Sequence, residues 1–208
     1  FAQRRTALRL VQILSAFDSD FDLQAGLALA AQNMPITVTD ASLKDSLDFI
    51  GGRFHHSLTD QGYRYDVVDA VLAEQQTNPA GAIRAVKELS AWASKPDWST
   101  ILPAYARCVR ITRDQKTLYQ VEPANFEEDA EKELFVEIER VEKMDRPSGS
   151  VDAFLKAFEP MIPVVNRFFD AVLVMAEDEK VRANRLGLLQ RISALAKGIA
   201  DFSYLEGF

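Results

Sequence analysis

One segment of the chain combines cations and aromatic rings at a spacing that suits phosphate binding. Four basic residues recur there at three-residue steps: Arg107, Arg110, Arg113 and Lys116. On an α-helix each such step drifts by about 60°, so the predicted cations form a slanting stripe along one side. Tyr105 and Tyr119 flank the stripe. Cations hold RNA phosphates and unstacked bases stack on aromatic faces. The alternative is a solvated helix face that pairs with the acidic segment following it.

Further arginines in three other parts of the chain are candidates for the same chemistry. They are Arg4 and Arg5 near the start, Arg53 and Arg64 around a predicted helix end, and Arg167, Arg182 and Arg185 towards the C-terminus. The last group has a structural alternative, because Asp170 or Glu179 could pair with these arginines and pin two helices together. Both interpretations fit the sequence.

The charge of the chain is unevenly distributed. Its 208 residues have a formal net charge of −7, which argues against nucleic-acid binding by simple overall attraction. Residues 122–145 contain ten acidic and three basic residues, so this segment alone accounts for −7. The remainder of the chain is balanced, and a locally basic face elsewhere is therefore compatible with the total.

Sequence motifs for catalysis and metal binding are missing. The Gly51–Gly52 pair lacks the lysine and the spacing of a phosphate-binding loop. His55 and His56 are adjacent and point about 100° apart on a helix, so they do not form the i, i+4 pair of a zinc site. Cys108 is the only cysteine, which excludes an internal disulfide and a multi-cysteine metal site. We expect no catalytic residue and no metal or cofactor site within this chain.

Helical periodicity dominates the chain, and no convincing pair of strands appears. Apolar residues recur at three- and four-residue steps in successive segments, which predicts amphipathic helices. These segments are 3–17, 22–33, 40–61, 65–76, 79–94, 97–113, 126–143, the stretch after Ser150 with interruptions at Pro160 and Pro163, and 178–204. Short connections favour antiparallel neighbours. The pattern therefore predicts an all-α bundle of about eight or nine helices in a single domain, 1–208.

Local signals predict where some of these helices begin and end. Asp40 is the predicted cap of one helix and Gly62 its C′ glycine. Asn125 with Glu128 resembles a capping box for the acidic helix. The Gly51–Gly52 pair lies inside a predicted helix, where it indicates either a close helix crossing or a local break.

The composition also bears on the compartment. No run of about 18 apolar residues occurs, so we expect no membrane contact. A single cysteine is typical of a reduced, cytoplasmic protein. Because the chain begins at Phe1 without a methionine, we expect a fragment of a longer protein.

Several blocks of sequence occur in an order typical of one family. They are FAQRRTALR (1–9), FIGGRF (49–54), GYRYDVVDAVLA (62–73), NFEEDAEKELF (125–135), and the most specific one, FFDAVLVMAED (168–178) with RANRLGLL (182–189). These blocks resemble the C-terminal, anticodon-binding-type region of the bacterial glycyl-tRNA synthetase β subunit. One departure lies at 107–111, where the family usually has a Lys-Arg-Val helix followed by Asn-Ile. Here Cys108 replaces the usual arginine.

The resemblance implies an all-helical domain similar to those of arginyl- and cysteinyl-type synthetases, within a tetrameric glycine–tRNA ligase. A separate α subunit would activate glycine with ATP and Mg²⁺. This region, with the rest of the β subunit as a further partner, would hold the anticodon arm of glycine tRNA through the arginines, Lys116 and Tyr105 named above. The alternative is a helical scaffold that docks other parts of the synthetase with little direct RNA contact.

Overall fold

Ten α-helices form the framework of residues 2–208, the part of the chain that this computed structural model describes. They are α1 (Ala2–Ala16), α2 (Leu23–Gln32), α3 (Asp40–Asp60), α4 (Tyr65–Gln75), α5 (Pro79–Ala93), α6 (Trp98–Thr112), α7 (Asp129–Glu142), α8 (Val151–Phe158), α9 (Ile162–Ala171) and α10 (Glu179–Ala194). Short 3₁₀ turns lie at Pro123–Asn125, Glu159–Met161 and Phe202–Tyr204. No strand occurs in this part of the chain, so the predicted all-α class is confirmed.

The helix count exceeds the predicted eight or nine because the segment after Ser150 forms two helices. The 3₁₀ turn Glu159–Met161 separates α8 from α9. Pro160 and Pro163 lie at this junction, as predicted, since proline lacks the N–H that a continuous helix needs.

Side-chain caps fix the starts of several helices. The Asp22 carboxylate accepts the N–H of Gln24 at 2.8 Å, and the Thr39 hydroxyl accepts the N–H of Ser42 at 3.2 Å. The prediction that Asp40 caps α3 is therefore wrong by one residue. Asp40 occupies the first helical position, where its negative charge complements the helix dipole.

The capping box of the acidic helix also differs from the prediction. It is formed by Glu128 and Glu131, three residues after the predicted pair, and α7 begins at Asp129. The Glu131 carboxylate accepts the N–H groups of Glu127 and Glu128, each at 2.7 Å. Asn125 instead belongs to the 3₁₀ turn that precedes this cap.

The final helix is shorter than predicted. It ends at Ala194 and not near Tyr204, and Gly198 then adopts a left-handed φ of 74°. Ile199 and Phe202 are buried after this turn, so the apolar spacing continues although the helix does not. Periodicity alone does not distinguish a helix from a buried turn that keeps the same apolar spacing.

Contacts within the chain divide it into two compact units. Unit 1 comprises the residues up to Trp92 together with Gly149–Val151 and Gly198–Leu205, and unit 2 comprises Ala93–Ser148, Asp152–Lys197 and Glu206–Phe208. A single folding domain over 1–208 stays a prediction.

Unit 1 has a core of side chains from α3, α4 and α5, including Phe54, Leu58, Val71 and Leu89. The buried Gln75 ties two distant segments to this core. Its amide donates to the carbonyl of Gly149 at 2.8 Å and to the carbonyl of Ile199 at 2.7 Å.

Two glycine predictions for α3 are resolved by the structure. The helix runs through Gly51–Gly52 without a break, and a Cβ at Gly51 would lie 2.8 Å from Oε1 of Gln76. The alternative of a local break is therefore wrong, and the group that approaches Gly51 is the end of the Gln76 side chain, not the backbone of a crossing helix. Gly62 follows the helix end with φ of 92°, as expected of a C′ glycine.

Unit 2 is built around the pairing of α6 with α10. The ring of Tyr105 on α6 meets the rings of Phe154 and Phe158 edge-on, at 5.6 Å between centroids in each case. Its hydroxyl donates to the carbonyl of Ser193 on α10 at 2.9 Å. No helix within residues 2–208 is long and apolar enough to cross a membrane.

Candidate nucleic-acid interface

Helix α6 has one buried face and one exposed cationic face. Tyr105, Cys108 and Thr112 are buried, whereas Arg107 and Arg110 are exposed. This division follows from the helical period, because residues three apart share a face while their immediate neighbours in sequence point elsewhere. The helix therefore positions two of the predicted cations side by side in solvent.

Each of these two guanidinium groups lies over an aromatic ring. The Cζ atom of Arg107 is 4.3 Å from the ring centroid of Phe169 on α9, and that of Arg110 is 5.5 Å from the ring centroid of Phe208. Both distances are within the range of cation–π attraction. Among the described residues, neither arginine forms an ion pair with a carboxylate. A ring supports the guanidinium plane and leaves its donors available to a ligand.

The predicted stripe of four cations is interrupted after Arg110. Helix α6 ends at Thr112, and Arg113 occupies its C-cap. Lys116 is exposed in the irregular segment that follows. The continuous slanting stripe is therefore wrong beyond the second cation, because the helical spacing on which it rests does not extend to Lys116.

Tyr105 does not have the position that RNA stacking requires. Its exposure is 5%, and both its ring and its hydroxyl are used within unit 2. Tyr105 is therefore not available for stacking with a base. The physical reason is its helical register, which places Tyr105 and Cys108 together on the buried face of α6.

Arg185 serves the core of unit 2 instead of a ligand. Its side chain is 6% exposed, and its Nε donates to Oε1 of the fully buried Glu131 at 2.8 Å. Two further donors reach the carbonyl of Leu173 at 3.0 Å and Oε2 of Glu127 at 3.3 Å. The structural alternative is therefore the correct one for Arg185, although the partners are on α7 and its cap instead of Asp170 or Glu179.

Arg167 and Arg182 are also committed within unit 2. Arg167 pairs with Glu133 on α7. Arg182 donates to the carbonyl of Ala176 at 2.7 Å and lies 3.7 Å from a carboxylate oxygen of Glu179, one of the predicted partners. An arginine already bound to a carboxylate offers little net charge to a phosphate. The charges of these two are therefore used within the fold, unlike those of Arg107 and Arg110.

The basic candidates of unit 1 fall into two groups. Arg64 is bound through two of its nitrogens to the buried Asp66, at 3.0 and 2.6 Å. Arg4 and Arg5 are exposed on α1, and Arg53 is half-buried on α3. None of these last three forms an ion pair with another described residue. Unit 1 therefore retains three of its four predicted cations in an available state.

Two family models match separate parts of the chain. Residues 1–73 match the glycyl-tRNA synthetase beta subunit, and residues 101–200 match the DALR anticodon binding domain. The glycine–tRNA ligase beta subunit of Moorella thermoacetica is 34% identical over 99% of this chain. The chain is homologous to glycyl-tRNA synthetase β subunits. The resemblance inferred from the sequence blocks is thereby confirmed.

Other relatives agree with this homology and show its limits. The glycine–tRNA ligase, chloroplastic/mitochondrial 2, of Arabidopsis thaliana is 32% identical over 100% of the chain. The beta subunit of Anaeromyxobacter dehalogenans is 32% identical over 99%. The chain spans 31% of the Moorella protein, 20% of the Arabidopsis protein and 30% of the Anaeromyxobacter protein. It therefore corresponds to less than a third of these synthetase chains.

The two family matches lie mainly in different structural units. The β-subunit match lies within the first 92 residues, which belong to unit 1. The DALR match begins at Ile101 inside α6 and includes all of α7 to α10. The face that presents Arg107 and Arg110 is therefore part of the segment that matches the DALR anticodon binding domain.

Sequence reasoning missed the two rings beneath these arginines. Phe169 follows the buried Phe168 and is itself half-buried. Its position in the sequence places it beside the apolar stripe of α9 and not within it, and this is the one sequence signal for a partly exposed ring. No pattern in the sequence connects Phe208 with Arg110, because that contact depends on the path of the chain after the last helix.

Proposed function

We propose that this chain is the part of a glycine–tRNA ligase β subunit that holds the anticodon arm of glycine tRNA. The observation that supports this most directly is the α6 face, where Arg107 and Arg110 lie over Phe169 and Phe208 without a carboxylate partner among the described residues. The anticodon loop is single-stranded, so its bases can splay out and stack on such cation–ring pairs. Phosphates of the same loop would accept hydrogen bonds from the guanidinium edges.

The acidic helix α7 is less repulsive to RNA than its composition suggests. Many of its carboxylates are engaged by cations: Asp129 by Lys132, Glu133 by Arg167, Glu137 by Arg140, Glu139 by Lys143 and Glu142 by Arg191. Paired charges have weak fields beyond about 8–10 Å at physiological salt. The net charge of −7 is therefore compatible with RNA binding at α6.

The remaining roles in this proposal belong to other chains. A separate α subunit would perform aminoacylation with ATP and Mg²⁺, in a tetramer of two α and two β subunits. The described residues contain no cluster of three or more His, Cys, Asp or Glu side chains that could hold a metal ion. The complete synthetase would act in the cytoplasm.

The proposal is tested by filter binding of a glycine-tRNA anticodon stem-loop to Arg107→Ala and Arg110→Ala. Each variant should bind about tenfold more weakly at low salt, equivalent to ~1.4 kcal/mol and typical of one charge-assisted hydrogen bond. The slope of log K against log salt should fall by about 1 for each lost phosphate contact.

Arg167→Ala is the matched control, because Arg167 is an exposed arginine of the same unit with a carboxylate partner. It should leave both the affinity and the salt slope close to those of the parent. Binding curves for Arg107→Ala and Arg110→Ala that superimpose on that control would refute the assignment of the tRNA contact to α6.

A second candidate function, docking within the synthetase, is favoured by a different observation. Unit 1 exposes several large apolar side chains within its first three helices and their connections: Ile13, Phe17, Phe21, Leu29, Met34, Ile36 and Phe49. An apolar groove of about 530 Å³ lies nearby, lined by residues of α1, α2 and α3 such as Leu10, Leu27 and Phe49. Exposed apolar surface of this extent marks an interaction site.

The occupant in this second view is the remainder of the same β subunit, since the relatives are more than three times as long as this chain. In a full-length β subunit, Phe49→Lys should lower the unfolding temperature, while in the 208-residue chain it should have little effect. An equal effect in both chains would contradict docking at this groove.

A further inference from the structure

A second groove in unit 1 combines an aromatic ring with hydrogen-bonding groups of both kinds. It has a volume of about 320 Å³ and lies where α3 passes the end of α4 and the 3₁₀ turn Phe202–Tyr204. Its lining includes the Gly51–Gly52 pair, His55, Asp69, Gln76 and Tyr204. This volume is at the lower end of the range for small-ligand sites, about 300–1,000 Å³.

The two glycines in the lining of the groove differ in what a side chain at their position would contact. At Gly51 a Cβ would meet Oε1 of Gln76 at 2.8 Å, so glycine lets the end of the Gln76 side chain lie against the helix. Gly52 is not needed for packing, because a Cβ there would meet nothing within 4 Å. Glycine is a poor helix former, so its presence inside α3 weakens the helix. At position 52 the lack of a side chain leaves the space of the groove open.

The walls of the groove present donors and acceptors beside an exposed ring. Nε2 of His55 lies 3.0 Å from Oδ1 of Asp69, with both side chains more than a third exposed. The side-chain amide of Gln76 and the hydroxyl of Tyr204 have no hydrogen-bond partner among the described residues, and Tyr204 is 53% exposed. A flat molecule resting on the tyrosine ring could satisfy these groups through its edge.

The chemistry of the lining selects the class of ligand. No lysine or arginine is among the lining residues, so the groove has no fixed cation for a phosphate or carboxylate. An amide donates and accepts, whereas the Asp69 carboxylate only accepts and therefore favours an amino group. A planar ring with an amino-bearing edge meets all of these conditions.

We propose that the groove of Gly52, Asp69, Gln76 and Tyr204 binds one unstacked nucleobase with an exocyclic amino group, in preference to uracil. The residues of this site belong to unit 1 and differ from those of the α6 face, so the proposal extends beyond the anticodon contact. The base could come from a bound tRNA or from a free nucleotide, and the ring-and-edge chemistry is common to both.

The first arm of the test is an NMR titration of the ¹⁵N-labelled 208-residue chain with CMP, AMP, GMP and UMP. We expect amides of the groove to shift with at least one of the three amino-bearing nucleotides, with a dissociation constant on the order of 1 mM. UMP should bind at least about fivefold more weakly than that nucleotide. No shift with any amino-bearing nucleotide at 10-fold this concentration (about 10 mM), or equal binding of UMP, would overturn the proposal.

Gly52→Leu is the blocking variant, because its side chain enters open space and leucine is a better helix former than glycine. It should weaken the nucleotide titration by at least about tenfold while the protein stays folded. His56→Leu is the matched control: it adds the same side chain to an exposed position of α3 outside the lining. Equal titrations for Gly52→Leu and His56→Leu would contradict the site.

The second arm identifies the source of the base by filter binding of full-length glycine tRNA. If Gly52→Leu binds the tRNA more weakly while His56→Leu binds it with the parent's affinity, the groove holds a base of the tRNA. Unchanged tRNA binding together with a lost mononucleotide titration assigns it to a free nucleotide. Neither result depends on Arg107→Ala, so failure of this site and failure of the α6 contact are distinguished.

Discussion

Helices α6 and α10 pack against each other in unit 2 but use their arginines in opposite ways. On α10, Arg185 and Arg191 are bound to carboxylates of α7, at 2.8 Å to Glu131 and at 2.5 Å to Glu142. On α6, Arg107 and Arg110 lie over aromatic rings and have no carboxylate partner among the described residues. The role of an arginine in this protein therefore depends on the group that lies opposite it, and not on its helix or its spacing.

The physical difference lies in what each arrangement leaves available. A carboxylate neutralises the guanidinium and occupies its donors, which fixes two helices together. An aromatic ring contacts the flat face, preserves the charge and leaves the donor edge free. The first arrangement stabilises the fold, and the second presents a cation to a ligand.

Arg185→Met gives the strongest test of the structural role on α10. The substitution leaves the fully buried Glu131 without its cationic partner, which typically destabilises a protein by about 3–5 kcal/mol. Urea denaturation should show a lower midpoint at an unchanged slope. The double variant Arg185→Met/Glu131→Leu should recover a large part of the loss, because it removes both charges. A loss below about 1 kcal/mol for Arg185→Met would show that the pair is not buried as described.

Cys108 tests the buried face of α6 through the pH dependence of stability. Burial raises the pKa of its thiol from 9.0 to about 12. The folded thiol therefore keeps its proton after the unfolded thiol has lost it. The contribution of this thiol to the free energy of unfolding is fully present below pH 9 and is lost as the pH rises towards 12.

Between pH 8 and pH 10 the parent chain should lose about 1.4 kcal/mol more of its unfolding free energy than Cys108→Ala, which lacks the titrating group. Denaturant unfolding at the two pH values measures this difference. Arg110→Ala, on the exposed face of the same helix, should behave as the parent does. Equal losses in the parent and in Cys108→Ala would place the thiol in solvent.

Asp178→Ala tests how firmly α10 is held at its start. The Asp178 carboxylate accepts the N–H groups of Lys180 at 2.8 Å and Val181 at 3.0 Å, and these bonds lower its pKa. The variant should melt about 3 °C below the parent at neutral pH, as expected for a lost N-cap. Because the folded pKa is lowered, the difference should disappear as the pH falls through it. Asp170→Ala, an exposed aspartate on α9, is the control and should melt with the parent.

The smallest expected effect is on the free energy of unfolding when either kind of exposed arginine is replaced. Arg107→Ala removes a cation–π contact, and Arg167→Ala removes a surface ion pair with Glu133. Each should cost under about 1 kcal/mol in chemical denaturation. Similar small losses for both, with only Arg107→Ala weakening RNA binding, would sharpen the contrast between the helices. A large loss for Arg107→Ala would show instead that its role is structural.

Much of the local structure follows from the sequence. Every predicted helical segment contains a helix, and the proline interruption after Ser150 and the closing glycine Gly62 are where the sequence predicts them. These features depend on residues within a few positions of each other, which is the range that periodicity and capping rules describe. The errors at Asp40, Asn125 and Tyr204 are displaced helix ends, where several residues compete for the same terminal N–H and carbonyl groups.

The candidate site was predicted only in part, and the reason is sequence separation. That α6 carries two exposed cations follows from its period, and so does the burial of Cys108 on the opposite side. The sequence by itself therefore determined the all-α class, the helices and the homology to synthetase β subunits. Only the tertiary structure decided that Arg185 meets a glutamate 54 residues away while Arg107 and Arg110 meet phenylalanines. A contact between residues on distant helices has no periodic pattern in the sequence, because tertiary packing and not local propensity selects the partner.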